Sequence, residues 1–216
     1  MIIAVDGPAA SGKGTLASGL AHHYGLPHLD TGLLYRAVGL AVADQVDDPG
    51  FEAAAIAAAR ALDPSAMTDL DALTAASTGV LASKVAVFGP VRQALFDHQR
   101  AFAVQPGGAV LDGRDIGTVI APDADCKLFI QADSKARMER RARQLEGRGE
   151  VVDRYALYHQ IEERDRRDMS NPHGGFRKAD DAHLLDTTLL GIEAALRAAI
   201  AIVDGAMASR AGSNRP

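Results

Sequence analysis

Short apolar runs alternate with helical patterns along the chain. Residues 2–5 are wholly apolar and end at a glycine-rich turn, as expected of a buried parallel strand. Similar runs predict further strands at 27–30, 109–111, 127–131 and 183–187. Helical patterns predict helices at 13–24, 33–43, 51–62, 73–88, 91–104, 134–145, 153–168 and 192–208. This alternation predicts an α/β fold, with a parallel sheet that has helices on both faces.

Breaks in the pattern predict the connections between these elements. Residues 63–72 and 171–176 are expected to form loops, and residues 209–216 a frayed tail. Gly89 and Pro90 are expected to break the chain before a helix, and Ser134 to cap one. The Gly-Arg-Gly sequence at 147–149 predicts a hinge-like break between two charged helices.

Composition and charge exclude several classes of protein. The 216 residues suit one domain, and 47% of them are hydrophobic, which is enough for a substantial core. A net charge of −5, few aromatic residues and no Trp argue against a nucleic-acid or membrane-surface binder. The single cysteine, Cys126, excludes an intrachain disulfide. No segment has the pattern of a signal peptide or a membrane span, so we expect a cytoplasmic protein.

The strongest motif follows the first predicted strand and opens the first predicted helix, which is the context of a P-loop. Glycines allow backbone N–H groups to surround phosphate oxygens, and Lys13 adds a full charge for the β- and γ-phosphates. The hydroxyl comes at Thr15, one residue later than usual, because Gly14 follows the lysine. The predicted phosphate-binding residues are Gly7, Pro8, Ala9, Ala10, Ser11, Gly12, Lys13, Gly14 and Thr15. A P-loop predicts nucleotide binding but not the reaction that follows.

Four further segments extend the pattern along the chain. They are Leu-Asp-Thr-Gly-Leu-Leu-Tyr-Arg at 29–36, Ala-Ser-Lys-Val-Ala at 82–86, Leu-Asp-Gly-Arg-Asp-Ile-Gly-Thr-Val at 111–119, and Glu-Arg-Asp-Arg-Arg-Asp at 163–168. With the P-loop and the closing Asp-Thr-Thr at 186–188, they make nearly the whole chain resemble the bacterial cytidylate kinase family. The Gly-Arg-Asp-Ile-Gly-Thr sequence is the most specific of these segments.

The resemblance implies a kinase that transfers the γ-phosphoryl group of ATP to CMP or dCMP, with Mg²⁺. It also implies roles for individual residues. Lys13, Arg114 and Arg164 are implied to be catalytic. The acceptor phosphate is implied to bind Thr31, Arg36 and Arg114. The cytosine is implied to bind Ser83, Arg92 and Asp115. The pentose is implied to bind Arg164 and Asp168. Arg137 and Arg141 are implied to bind ATP, and Thr15 and Asp112 to hold Mg²⁺, the aspartate through water.

Elementary chemistry supports a cluster of arginines independently of the resemblance. Phosphoryl transfer requires two polyanions to be held close together, and positioning and charge stabilisation supply most of the rate. Arg36, Arg92, Arg114 and Arg164 each lie beside a turn, a break or a strand end, where a side chain can reach a cleft. Arginines in such places are better explained by phosphate binding than by surface ion pairs of small energy.

The family resemblance also predicts how the single domain, residues 1–216, is organised. Segments 1–30, 106–142 and 172–209 form the core, 31–105 the insertion that binds the monophosphate, and 143–171 the lid and the following helix. The insertion lacks the strand pattern common in the family around residues 63–79. Asn171 stands where the family usually has an arginine, and Arg177 is the candidate to replace it. The family further implies a monomer.

Two other functions share the P-loop. Another small kinase, acting on a different monophosphate or a metabolite, would not need Ser83, Arg92 and Asp115 as a set. A nucleotide-dependent switch would hydrolyse ATP slowly and expose an apolar partner surface. The histidines show no metal-ligand spacing, and the Gly-x-Ser-x-Gly motif of serine hydrolases is absent.

Overall fold

A computed structural model describes residues 1–64, 67, 69–171 and 176–213. The strands are β1 (Ile2–Asp6), β2 (His28–Asp30), β3 (Ala109–Gly113), β4 (Cys126–Gln131) and β5 (His183–Asp186). The helices are α1 (Lys13–Tyr24), α2 (Gly32–Ala41), α3 (Phe51–Arg60), α4 (Leu70–Thr74), α5 (Ala76–Val85), α6 (Gly89–Ala103), α7 (Ser134–Glu146), α8 (Arg154–Ser170) and α9 (Ile192–Ser213). A 3₁₀ turn covers Ala43–Gln45, and a π-helical turn covers Ile116–Ile120.

The strands form one parallel sheet in the order β2-β3-β1-β4-β5. β1 lies at the centre, where Ile3 pairs with Val110 of β3 and with Cys126 of β4. All strands run the same way, so their carboxyl ends meet at one edge. In open parallel sheets this edge, beside a change in the direction of strand order, is where ligands bind.

Both faces of the sheet are covered, as predicted, because side chains alternate along β1. Ile3 and Val5 face α1 and α9, where Leu20 and Val203 are fully buried. Ala4 faces the opposite way and packs with Leu111, α6 and the π-helical turn. The predicted α/β class is therefore confirmed.

The helices of segment 31–105 have a hydrophobic core of their own. Leu34 and Val38 of α2 pack with α3, α5 and α6. The alanine-rich α3 buries Ala55 and Ala59 completely, and such small side chains allow helices to approach closely. The described part of this segment contains helices and turns after β2, in line with the missing strand pattern.

Helices α7 and α8 form a second packed pair. Met138, Ala142 and Leu145 of α7 contact Leu157 and Ile161 of α8. The turn between the helices contains Gly149 in the left-handed region, with φ of 81°. The predicted break at 147–149 therefore joins two helices that pack side by side. No helix in the described ranges is long and apolar enough to span a membrane.

The helix predicted over 73–88 is present over most of its length, but it is interrupted at Ala75 and ends at Val85. The loop predicted over 63–72 is wrong at residues 70–72, which belong to α4. Helix α4 starts at Leu70, where the Asp69 side chain accepts a hydrogen bond from the Ala72 N–H at 3.0 Å. The chain then breaks at Ala75, whose ψ of 152° is extended, before α5 begins. Residues 65, 66 and 68 of the predicted loop lie outside the described residues.

Three predicted boundaries also need correction. Gly89 and Pro90 begin α6, because the first turn of a helix does not need the N–H that proline lacks. Asp133 caps α7 in place of Ser134, accepting from the Lys135 N–H at 2.7 Å. Helix α9 continues to Ser213, so the frayed tail is wrong for residues 209–213, and 214–216 lie outside the described part. Of the loop predicted at 171–176, residues 172–175 are likewise not described.

Candidate active site

The P-loop connects the end of β1 to the start of α1. Gly12 precedes the helix with φ of 89°, a left-handed conformation that glycine adopts without a steric penalty. No side chain caps this helix. Its first backbone N–H groups and the positive end of its dipole are therefore available to an anion.

Lys13 and Asp112 face each other across this edge of the sheet. The Lys13 Nζ lies 3.6 Å from Asp112 Oδ2, and the other carboxylate oxygen lies 2.8 Å from His28 Nε2. Burial, and then the charge of Arg114, lower the pKa of Lys13, while Asp112 acts against them. The lysine is thus a partly buried cation whose charge the surrounding protein does not fully compensate.

Asp30 is a site residue that sequence reasoning missed. It ends β2 beside Asp112, and its Oδ1 accepts from the Gly32 N–H at 2.9 Å. Burial, and then the charge of Asp112, raise the pKa of Asp30. Its place at a strand end, one residue before Thr31, is the signal that could have identified it.

The break between α4 and α5 holds Arg36. The Arg36 Nη1 donates to the carbonyls of Leu73 at 2.8 Å and Ala75 at 3.1 Å, which a continuous helix would have used internally. Burial lowers the pKa of Arg36. Thr31, at the start of α2, donates its hydroxyl to the Asp112 carbonyl at 2.8 Å. Thr31 and Arg36, two of the predicted phosphate-binding residues, therefore lie near the Lys13–Asp112 pair. The charge of Asp30, beside Asp112, raises the pKa of Arg36 and so opposes the effect of burial.

Arg114 and Arg164 complete a group of cations. Arg114 Nε donates to Asp168 Oδ2 at 2.8 Å, so the predicted phosphate and pentose residues are in contact. Burial and the charge of Arg114 lower the pKa of Arg164 to about 10. Each of these arginines also lowers the pKa of Lys13, which places the three predicted catalytic residues in one electrostatic cluster.

The predicted base-reading residues form two contacts. Arg92, in the first turn of α6, pairs with Asp115 and lies 5.6 Å from the centre of the Tyr35 ring. A cavity of about 710 Å³ borders these three residues. Ser83 is buried on α5, and its Oγ accepts from Arg167 Nη1 at 3.0 Å.

Arg167 was missed because a charged residue in a charged helix carries no distinguishing pattern. Asn171, directly after the end of α8, donates to the Ala86 carbonyl at 2.9 Å. Both residues therefore connect α8 to α5. The Arg177 side chain is exposed, and Arg167 is the residue that contacts a predicted acceptor-binding side chain.

The arginines of α7 divide between two sides of the cleft. Arg137 is buried and donates to the P-loop carbonyl of Ala9 at 3.2 Å and to Asp165 Oδ1 at 3.1 Å. Arg140, for which no binding role is predicted, donates to the P-loop carbonyl of Ser11 at 3.2 Å. Arg141 instead lowers the pKa of Arg36 and Arg164, so its charge acts on the acceptor side.

The two predicted magnesium residues differ in exposure. Thr15 lies exposed on the first turn of α1, whereas Asp112 is buried. A Cβ on Gly14 would lie 3.7 Å from Asp112 Oδ2, so the residue directly after the lysine is the one that adjoins the carboxylate. Among the described residues, no group of three or more His, Cys, Asp or Glu side chains could hold a metal ion alone.

Three buried side-chain atoms lack a hydrogen-bond partner within the described ranges: Ser11 Oγ, Asp112 Oδ2 and Arg164 Nε. Buried polar atoms in native proteins are nearly always paired, because desolvation without a partner is costly. All three atoms belong to residues that the sequence singled out for nucleotide or metal binding. Their coincidence at one edge of the sheet marks this cleft as a binding site.

Comparison with known proteins identifies the family. The family model for cytidylate kinase matches residues 3–204. A cytidylate kinase from Methylocella silvestris is 57% identical, covering 98% of each chain, and one from Xanthobacter autotrophicus is 56% identical over 97% of this chain and 100% of its own. A crystal structure of an uncharacterized protein from Eubacterium ventriosum covers 94% of this chain and 98% of its own, at 17% identity and a TM-score of 0.56, and supports the fold alone. The chain belongs to the cytidylate kinase family.

Proposed function

We propose that this member of the cytidylate kinase family transfers the γ-phosphoryl group of ATP to CMP or dCMP, forming ADP and CDP or dCDP. The observation that carries the proposal is the cluster of partly buried cations around the end of β3. Burial lowers the pKa of Lys13, Arg36 and Arg164. Buried cations are costly unless an anion compensates them, and two nucleotide phosphate groups would do so.

The donor phosphates would lie in the P-loop, on the backbone N–H groups at the start of α1. Lys13 would contact the β- and γ-phosphates, and Arg137 would bind ATP from the lid side. The acceptor phosphate would bind Thr31, Arg36 and Arg114 in line with the transferred group. Because this reaction needs little covalent chemistry from the protein, holding both phosphates and stabilising the developing charge supplies the catalysis.

Asp112 fits the role of a magnesium residue. Its Oδ2 is buried without a hydrogen-bond partner and lies beside Lys13 and Gly14. Magnesium usually keeps several waters and takes one or two carboxylates plus phosphate oxygens, which suits a site without a cluster of acids. The ion would offset negative charge on the phosphates. Asp112 would hold it through water, and Thr15 is the second proposed contact.

Base selection would depend on Asp115. A carboxylate accepts hydrogen bonds, and cytosine offers an exocyclic amino group where uracil has a carbonyl oxygen. The pair with Arg92 fixes this carboxylate, and Ser83 completes the set that reads the base. Arg164 and Asp168 would contact the pentose, and Arg141 would add positive charge on the same side of the cleft.

The test is ADP formation from ATP and Mg²⁺ with CMP, dCMP, UMP, AMP and GMP offered separately. Turnover with CMP or dCMP well above the others supports the proposal. Turnover with another monophosphate would keep a kinase but contradict the assignment of Ser83, Arg92 and Asp115. ADP release that ignores every acceptor would contradict a monophosphate kinase and support the switch or another small-molecule kinase.

Several parts of the sequence interpretation stay predictions. They are the monomeric state, the cytoplasmic location, the absence of a nucleic-acid partner, the Mg²⁺ requirement, and the division into core, insertion and lid.

A further inference from the structure

Asp6 joins the donor and acceptor sides of the cleft. It is the last residue of the central strand β1, directly before Gly7 of the P-loop, and only 5% of it is exposed. Its Oδ1 accepts from the Ile116 N–H at 2.8 Å, and its Oδ2 accepts from the Gly117 N–H at 2.8 Å. Both donors directly follow Asp115, so one carboxylate holds the turn that carries the base-reading residue.

The turn packs closely against this carboxylate. A Cβ on Gly117 would lie 3.4 Å from Asp6 Oδ2 and 3.1 Å from the Lys127 side chain. Lys127 is buried as well, but its ammonium group is held by Asp181, with N–O distances of 2.9 and 2.7 Å. Asp6 therefore accepts hydrogen bonds from two backbone N–H groups of this turn, those of Ile116 and Gly117, while the Lys127 ammonium group is paired with Asp181.

Holding a loop with a buried carboxylate is costly. Burial raises the pKa of Asp6 to about 7 although the two backbone hydrogen bonds lower it, with Asp115 adding to the rise and Arg114 opposing it. An apolar side chain would avoid this desolvation cost but could not fix two N–H groups. The Asp6 carboxylate therefore serves to position the turn at Ile116 and Gly117 more than to stabilise the fold.

We propose that Asp6 is a positioning residue for base recognition, fixing the turn after Asp115 relative to β1 so that Asp115 meets the cytosine. The inference rests on the proposed function. Asp6 reaches the reaction only through the backbone of the turn. Because Asp6 ends β1, while the phosphate cradle is formed by the residues after it and by α1, its loss should affect CMP more than ATP.

The test is Asp6→Asn, assayed at pH 8, where the wild-type group is ionised. The asparagine oxygen can accept from one N–H, but its amino group then faces the other N–H, so the turn must shift. We expect the KM for CMP to rise by about tenfold, because a hydrogen bond to a charged group is lost. We expect the KM for ATP to stay within about twofold, and the preference for CMP over UMP to fall by about tenfold, with Asp115 no longer in register.

Asp125→Asn is the matched control. Asp125 Oδ2 accepts from the Ile2 N–H at 2.8 Å, so this carboxylate binds a backbone N–H at the opposite end of the same strand. We expect both KM values to stay unchanged. Gly117→Ala is a second variant that keeps every charge. Its Cβ would lie 3.1 Å from the Lys127 side chain and 3.4 Å from Asp6 Oδ2, so the turn or these side chains must shift by a few tenths of an ångström. For this variant we expect the KM for CMP to rise by about threefold and the KM for ATP to stay unchanged. It therefore tests the inference even if Asp6→Asn does not fold.

Equal increases in both KM values, or an unchanged KM for CMP in a folded variant, would overturn the inference. A similar split in Asp125→Asn would also overturn it, since the effect would then be general. The wild-type assay separates this from the broader proposal. A wild-type protein inactive with CMP would overturn the proposed function and this inference together, whereas an active wild type without the split would overturn the inference alone.

Discussion

The donor and acceptor sides of the cleft are built in different ways. The donor side is nine consecutive residues, 7–15, that run from the end of β1 into the first turn of α1, and its main groups are backbone N–H groups plus Lys13. The acceptor side draws on α2, α5, α6, β3 and α8, and its main groups are side chains. A short local conformation therefore creates one site, whereas the other exists only after distant segments have packed.

The two sides also hold charge differently before a nucleotide binds. Arg92 and Arg114 are each paired with an aspartate, and Arg36 is bound to two carbonyls. Arg114 already donates its Nε–H to Asp168, whereas among the described residues no side chain caps the start of α1. Substitutions can therefore test whether a change on one side of the cleft alters binding or turnover of the nucleotide on the other side.

The largest effect is expected on the donor side, from Lys13→Met. This change keeps most of the side-chain length but removes the charge that would stabilise the transferred group. We expect kcat to fall by about 10³-fold or more, as is typical when a charge on a transferring phosphoryl group is lost. Lys84→Met, at an exposed position on α5, is the control and should leave kcat unchanged. A loss of under about tenfold in steady-state turnover would contradict the assigned role of Lys13.

An intermediate effect is expected from Asp115→Asn on the acceptor side. The amide can accept from cytosine and can also donate to uracil, so selectivity should relax while the donor side is untouched. We expect the ratio of kcat/KM for CMP over UMP to fall by about 10- to 100-fold. Asp97→Asn, an exposed change in the wall of the same cavity, should keep the ratio. An unchanged ratio in Asp115→Asn would show that other groups read the base.

The smallest effect is expected from Gly79→Ala, inside α5. The new Cβ would lie 3.1 Å from Arg36 Nη2 and 3.5 Å from Arg164 Nη1, so the arginines must give way by a few tenths of an ångström. We expect the KM for CMP to rise by about threefold and the KM for ATP to stay constant.

Gly205→Ala in α9 is the matched helical control, because its Cβ would have nothing within 4 Å. It should leave both KM values alone and raise the free energy of unfolding by about 0.5–1 kcal/mol through helix propensity. If both alanines changed the KM for CMP alike, the contact with the arginines could not be the cause.

The features predicted from the sequence are those with a local cause. Apolar runs of a few residues located the strands. Lys13, in the P-loop that follows β1, and Asp112, near the end of β3, lie together as the order of the elements implies. The break at Ala75 was not predictable, because it is stabilised by Arg36, nearly forty positions away in the chain. Arg167 is recognisable only by its contact with Ser83. The cap at Asp133 was missed because Ser134 is an equally good capping residue by type.

The carboxyl group at the end of the central strand also links folding to the binding of protons. The pKa of Asp6 is about 7 in the folded chain against an ordinary value of 3.8, so between these pH values folding retains a proton that the unfolded chain releases. Its contribution to the free energy of unfolding is greatest below 3.8 and falls by at most about 1.4 kcal/mol per pH unit as the pH rises towards 7. Above pH 7 the Asp6 carboxylate is ionised and accepts both backbone hydrogen bonds, but in this pH range it also contributes least to the free energy of unfolding.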